Sequence, residues 1–455
     1  MMMKKFLTSM LFVSIILNTG CKKFLEEKSN QRLMIPENLS QLQTILDNFN
    51  TMNNNYSSAA EVSTDDFFLT NNDYQALEYD QDRGTYSWAS NNLFLPGDQG
   101  NGWSWTYSSV YASNSVMERL ALIARTPANA ATWDNIKAQA LIFKAARLLD
   151  AAGTWTNAYD PATAANDLGL PLPVSTNFNE KQTRATLEDT YQAVIRYLRE
   201  GIATAANQPL STFRPGKAAG YGLLARTYLN KGEFAQARIY ADSCLRLQNQ
   251  LIDYNALDPS AEYPISATNP ETIFSTIFSV TASLLFNTPK ISPTLLNSYE
   301  ANDLRRTLFF RDNGDGTFSF KGNYTGEFSL LCGVATDEMY LIRAEAAIRA
   351  NDIQEGLNDL NTLLAARYRR GTFTSLANLT QQAALARVLL ERRKELLFRG
   401  LRWTDIKRLN KLGANITLTR NINGQQYTLP PNSPRFALPL PEDVISLSGM
   451  TQNPQ

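Results

Sequence analysis

Apolar residues recur at helical spacing along much of the chain. Leu39, Leu42, Ile45 and Leu46 fall at i, i+3, i+6 and i+7, which predicts a short helix within the polar stretch from 22 to about 60. Trp103, Tyr107, Val110 and Asn114 share one face of a later helix. Leu141, Ala145, Leu148, Leu149 and Ala152 mark a stronger one that should stop at Gly153. Leu187, Tyr191, Val194, Ile195 and Leu198 give the apolar face of a helix over 186–203. Between these, residues 61–102 carry few helical signals and many Asn, Asp, Gly, Tyr and Ser, and 154–184 is rich in Pro, Asp and Asn, so both read as long loops.

The most informative stretch runs from Leu224 to Cys244. Leu224, Ala225, Tyr228, Gly232, Phe234, Ala237 and Ala241 give the large, small, aromatic, turn-glycine, aromatic, small order of a tetratricopeptide repeat. The small positions let two antiparallel helices approach closely, and Cys244 then lies on the inward face as a small hydrophobe. Ala344, Ala347, Asn351, Ile353, Gly356, Leu360 and Leu363 form a more degenerate copy. Helix pairs are therefore expected over 217–247 and 338–368. Residues 249–335 differ in character: Phe274–Phe278 and Thr317–Phe320 alternate like short strands, and Asn313-Gly314 and Asp315-Gly316 are turn dipeptides. The fold expected is mainly α, a helical repeat frame carrying an irregular insertion of loops and short strands.

Composition narrows the chemistry. The 455 residues include 43 basic and 43 acidic side chains, so no basic surplus points to nucleic acid. There is no histidine, which excludes Ser-His-Asp and Cys-His catalysis and histidine zinc sites within the chain. The first twenty residues read as a signal peptide: Lys4 and Lys5 precede an apolar run from Phe6 to Leu17, too short to span a bilayer. Gly20-Cys21 follows, the small residue before cysteine at which lipoprotein signal peptidases cut, so Cys21 is expected to carry acyl chains such as palmitate. Residues 21–455 are expected to form one domain. Cys244 and Cys332 alone do not make a disulfide scaffold, and the sequence leaves their pairing open.

Several motifs read as structure. Gly220-Tyr221-Gly222 resembles a dinucleotide fingerprint but lies inside a helical pattern, where small residues serve packing. Asp312, Asn313 and Asp315 lack EF-hand spacing, so a hairpin is expected; no cofactor is expected, and a structural calcium ion has no motif behind it. Glu391 and Glu395 lie one helical turn apart among Arg387, Arg392, Arg393 and Lys394, which should keep both ionised as a salt-bridge network rather than create a general acid. The loops hold Tyr74, Tyr79, Tyr86, Trp88, Trp155 and Tyr159 amid amides and carboxylates. Such aromatic platforms beside polar side chains suit sugars.

The chain as a whole resembles the SusD/RagB family of outer-membrane nutrient-binding lipoproteins of Bacteroidetes. The resemblance is carried by the stretch from Cys21 to Glu27, the acidic pair Asp65-Asp66, and the helix from Trp103 to Asn114. It continues through Leu168–Pro173 with Arg184–Tyr191, then Lys217–Leu229, and is strongest over Glu391-Arg392-x-x-Glu395-Leu-x-Phe398-x-Gly400-x-Arg402-Trp403-x-Asp405-Ile-x-Arg408. Leu438–Ile445 and Gln452-Asn453-Pro454 close it. Arg399 stands where the family usually has an acidic residue. The resemblance implies a SusD-like helical fold, lipid-anchored at the cell surface. It implies a partnership with a SusC-like TonB-dependent transporter, to which the protein delivers an oligosaccharide without catalysis. A peptide ligand, or a glycosidase using Asp65, Asp66 or Glu78, are the alternatives. With 61–102 and 249–335 as the ligand side, the residues expected to touch ligand are Arg83, Tyr86, Trp88, Asn91, Phe286 and Tyr299.

Overall fold

The computed structural model describes residues 36–91, 93–96, 102–278, 281–284 and 287–455. Cys21, the signal segment and Phe286 lie outside the described residues. The frame is a series of long helices: α1 (Trp103–Leu120), α2 (Ala130–Trp155), α3 (Leu187–Thr204), α4 (Lys217–Lys231), α5 (Phe234–Leu245), α6 (Thr336–Arg349), α7 (Ile353–Ala365), α8 (Gln381–Glu395) and α9 (Arg402–Lys411). Each of the first seven packs on its neighbour in this order, and α8 lies against α6. The chain is mainly α, as expected.

The two repeat-like stretches are helix pairs, α4 with α5 and α6 with α7, and α5 packs on α6 to make them consecutive. Ala225, Ala237, Ala241 and Cys244 are fully buried where these helices meet. The Cys244 Sγ lies 3.2 Å from the Ala218 carbonyl oxygen, and both Cys244 and Cys332 are buried free thiols. A Cβ on Gly220 would stand 2.4 Å from Ile202 Cγ1, and one on Gly222 2.4 Å from Val334 Cγ1. The glycines of the would-be fingerprint thus permit close helix packing.

Helix α2 is longer than its strongest pattern suggested. It continues through Gly153, whose missing side chain makes room for the Thr404 methyl, so the glycine is a packing notch and not a stop. From Ile136 onward nearly every residue of α2 is buried, including two cations. Lys144 Nζ donates to Asn114 Oδ1 at 2.6 Å and to the Pro173 carbonyl at 2.9 Å, and burial lowers its pKa to about 8. Arg147 donates to the carbonyls of Thr51 and Asn55 and lies 3.7 Å from the Tyr56 ring centroid. A buried guanidinium that spends its donors on main-chain oxygens fixes an otherwise irregular segment to the frame.

Residues 61–102 are not simply loop. Short helices form at Ala59–Val62, Asn71–Gln75 and Asp80–Ser87, the second started by a reciprocal Thr70–Asp73 capping box. The insertion holds short antiparallel pairs. Phe310–Asp312 pairs with Phe318–Phe320 across the expected turn, and Thr272–Phe274 pairs with Val334–Ala335. Asp312 and Asp315 accept from the main chain of Gly314 and Thr317, so these carboxylates close the hairpin. A second hairpin, Leu418–Ile422 with Gln425–Leu429, went unforeseen although Asn423-Gly424 is the standard signal for its two-residue turn. Both turn residues have positive φ, 52° and 80°.

Candidate functional site: the loop face

The two loop-rich regions meet on one side of the frame. Phe67–Phe68 pairs antiparallel with Lys290–Ile291, the Lys290 Nζ lies 3.3 Å from the Asp73 carboxylate, and the 80–87 helix packs on the turn at 282–284. Behind this face is a second core, separate from that of the helices, in which Phe67, Tyr86, Phe278, Tyr299, Phe309 and Phe398 cluster.

That core has claimed Tyr86 and Tyr299, and the core of the helices has claimed Trp88, so the expectation that these three touch ligand is corrected for each. Tyr86 is 1% exposed; its hydroxyl accepts from the Leu69 amide at 2.7 Å and its ring lies against Phe67 and Tyr74. Trp88 is 3% exposed and donates Nε1–H to the Ser63 carbonyl at 3.0 Å. It holds φ of 56°, a strained value for a bulky side chain that only fixed surroundings sustain. Tyr299 is 3% exposed and donates to the Lys394 carbonyl at 2.8 Å. These aromatics pin the loops and offer no open ring face. Arg83 and Asn91 do reach the surface. Arg83 is half-buried, paired with Asp80 at 2.6 Å and bonded to the Leu77 carbonyl, and Asn91 is exposed.

The residue that joins this construction is Arg420, on the unforeseen hairpin. Its guanidinium is buried over the rings of Tyr86 (3.6 Å) and Trp88 (4.6 Å) and donates to the carbonyls of Val62, Thr64 and Tyr86. Burial lowers its pKa to about 10.

What the face leaves open comes from neighbouring positions. Tyr79 is 55% exposed beside Asp80 and Arg83, and Phe328 is 43% exposed on the insertion. Beneath Phe328 a recess of about 20 Å³ is bordered by Tyr263, Arg311, Phe320 and Asn323. Arg311 donates from Nη2 to Asn287 Oδ1 at 2.7 Å, while its buried Nε–H has no hydrogen-bond partner among the described residues. Asn323 likewise has its amide nitrogen on the Glu327 carbonyl and its buried Oδ1 unbonded. A buried donor and acceptor without partners, beside aromatic rings and a space sized for one hydroxyl or water, can hold such a group at the edge of the exposed surface. The irregular character of 249–335, an insertion on a helical frame, marked it as a ligand side in general; nothing local singled out Arg311 or Asn323.

Two family models match the chain. Residues 23–229 match a SusD-like family model described as "Starch-binding associating with outer membrane". Residues 337–455 match the SusD/RagB model, described as "SusD family". The chain belongs to the SusD/RagB family. A comparison with curated proteins gives no match. Among solved structures, a SusD superfamily protein from Bacteroides thetaiotaomicron VPI-5482 aligns with a TM-score of 0.74 at 20% identity, over 92% of this chain and 100% of its own. A SusD superfamily protein from Bacteroides vulgatus ATCC 8482 gives 0.73 at 20%, over 92% and 99%. A SusD-like carbohydrate binding protein from the same organism gives 0.68 at 20%, over 91% and 97%. At these identities the likeness establishes the fold.

The motif most typical of the SusD/RagB chain, from Glu391 to Arg408, is an internal ion-pair network. Arg305 donates to Asp303, Glu391 and Glu395 at 2.7, 2.6 and 2.8 Å, all fully buried. Arg367 joins Glu395 to Glu271. Burial would raise the Glu391 pKa, but Arg305, Lys394 and Arg387 outweigh it and hold the carboxyl below its usual range. The expected network is present with a change of partners: Arg305 and Arg367 come from distant segments, while Arg392 turns to Asp405 and Arg393 to Asp66. Asp65 is bonded by Arg402 at 2.8 Å; burial raises its pKa, yet Arg402 and Arg393 bring it to about 2. No pair of these carboxylates is both open to a substrate and poised to share a proton.

Glu271, Asp337 and Glu395 approach closely enough to hold a cation, but Arg367, Arg399 and Arg305 already answer their charges, and the Tyr324 hydroxyl donates to Glu271 at 2.6 Å. Arg399, at the position where the family usually has an acid, meets Asp337 at 3.2 Å in this cluster. No helix among the described residues is long and apolar enough to cross a membrane.

Proposed function

We propose that this SusD/RagB chain is a surface lipoprotein, anchored through Cys21, that captures an oligosaccharide on its loop face. It would pass the ligand to a SusC-like TonB-dependent transporter without breaking a bond. The observation that carries the reading is the exposed part of the loop face, Tyr79 and Phe328 with Arg83 and Asn91, beside a small recess where the buried Arg311 Nε–H and Asn323 Oδ1 have no hydrogen-bond partner among the described residues. Sugar rings present apolar C–H faces to aromatics and hydroxyls to such donors and acceptors. The printed description of the family, starch-binding in association with the outer membrane, supports the same class of ligand and place. The carboxylates argue for binding over hydrolysis, since the Asp65, Glu391 and Glu395 oxygens are occupied by arginine.

Affinity electrophoresis of the purified protein through gels carrying single polysaccharides tests this, with chromatography of each polysaccharide after incubation. Retardation by a glycan with no shortened product is expected. Product release would replace the reading with a hydrolase, and retardation by no glycan, together with capture of peptides, would replace it with peptide binding.

A further inference from the structure

A larger cleft lies elsewhere on the molecule. It opens between the segment 249–255, which follows α5, and the turn 369–375, which follows α7, and its volume is about 590 Å³. That is within the range of small-ligand sites, roughly 300–1,000 Å³. It shares no lining residue with the recess of the loop face.

Its base is fixed. Tyr340, buried on α6, donates its hydroxyl to the Asn249 carbonyl at 3.1 Å. The turn is tied down on both sides: Tyr368 bridges to Asp303, the Arg369 amide donates to the Asn302 carbonyl at 2.9 Å, and the Arg370 amide donates to Asn255 Oδ1 at 2.9 Å. Two exposed arginines therefore project from a main chain that does not have to be ordered on binding, which favours affinity. Phe373, half-buried, rests on Tyr368 with ring centroids 5.2 Å apart and lines the cleft beside them.

The charges do not cancel. Arg370 pairs with Asp253 at 2.7 Å, and hydrogen bonds from Asn255 keep that carboxylate ionised by lowering its pKa. Arg369 has no carboxylate partner among the described residues, so the cleft carries one cation in excess. A planar guanidinium recognises a carboxylate with paired hydrogen bonds. An aromatic ring and hydroxyl-bearing side chains, Thr362 and Ser375, stand next to it.

We propose that this cleft is a second binding site, for an acidic saccharide such as an oligouronate, one carboxylate of which it binds. The acid meets Arg369, the sugar ring lies on Phe373, and hydroxyls reach Asn249 and Ser375. The site goes beyond the loop-face reading and does not depend on it.

Calorimetric titration of the purified protein with trigalacturonate and with the uncharged galactotriose tests the proposal, in parallel with Arg369→Ala and Phe373→Ala. Trigalacturonate is expected to bind at least tenfold more tightly than galactotriose. Arg369→Ala should weaken it by about tenfold to a hundredfold, the worth of a charge-assisted hydrogen bond pair. Phe373→Ala should weaken it by about tenfold. Equal binding of the two sugars, or trigalacturonate binding indifferent to Arg369→Ala, would overturn the proposal. So would a triglutamate peptide binding as well as trigalacturonate with the same dependence on Arg369. Unaltered melting temperatures verify that the variants are folded, as the exposed position of Arg369 leads one to expect.

Discussion

The Arg420 guanidinium lies over Tyr86, 3.6 Å from the ring centroid, and joins a C-terminal hairpin to a helix more than three hundred residues earlier. The same group donates to the carbonyls of Val62 and Thr64, so one side chain closes the loop face from behind. Removing it strands those buried oxygens as well as the ring contact. Arg420→Ala is expected to cost about 3–5 kcal/mol in urea unfolding. Arg420→Lys should recover only a small part, because an ammonium cannot serve several carbonyls and cover a ring at once. Hydrogen exchange of 62–88 should speed up in both variants more than that of α4 and α5; uniform acceleration would deny the hairpin this local role.

The buried cluster around Arg305 sets the acid limit of stability. Burial raises the Asp303 pKa, but Arg305 and Lys394 outweigh it and bring the group to about 2, against 3.8 in the unfolded chain. A depressed folded pKa gives stability that is present above 3.8 and lost as pH falls toward 2. Urea titrations between pH 5 and 2 should show that loss. Arg305→Met, which leaves three carboxylates without their shared cation, should destabilise the protein by about 3–5 kcal/mol or more at pH 7 and by less at pH 2.

Glu61 behaves in the opposite sense. It is buried with Oε1 unbonded, and burial, with repulsion from Asp66, raises its pKa from 4.5 to about 8. Between those values the unfolded chain releases a proton that the folded chain retains, so stability falls as pH rises through this window and levels off above 8. Glu61→Gln should remove that slope and be the more stable protein at pH 9, by an amount of order a few kcal/mol. Parallel slopes for the two proteins from pH 5 to 9 would contradict the assignment.

Cysteine accessibility reports on the anchor. Cys244 and Cys332 are buried free thiols whose pKa values burial pushes up, Cys332 to about 12. Neither should react with a thiol reagent in the native protein. Of the three cysteines in the sequence, two should react in denaturant if Cys21 carries a lipid. Titration of three thiols in membrane-derived protein would rule the anchor out.

Much of the frame was legible because its signals are local. The small-residue spacing from Ala225 to Cys244 fixes how two adjacent helices approach, and Glu391 with Glu395 advertises an ion cluster within two turns. The partners that complete the cluster, Arg305 and Arg367, come from other parts of the fold, and no spacing rule names them. The site was harder to read for a related reason. Tyr86 and Trp88 look like surface aromatics among Asn, Asp and Ser, but a loop rich in polar residues still needs something to hold it, and Arg420 supplies the cation that buries both rings. Tyr79, seven residues before Tyr86, has no such cation over its ring among the described residues and remains outside. The Asn423-Gly424 turn that delivers Arg420 was visible and went unused.

The central claim is that an oligosaccharide is held on the loop face. Its most direct test is an equilibrium titration of the glycan that retards the protein in gels, comparing the native protein with the variant carrying Tyr79→Ala, Arg83→Ala and Phe328→Ala. All three side chains are partly or largely exposed, so the melting temperature should change little. Affinity is predicted to fall by at least about tenfold, the worth of one lost sugar–aromatic contact. Unchanged affinity in a folded variant would contradict the account and move the ligand off this face.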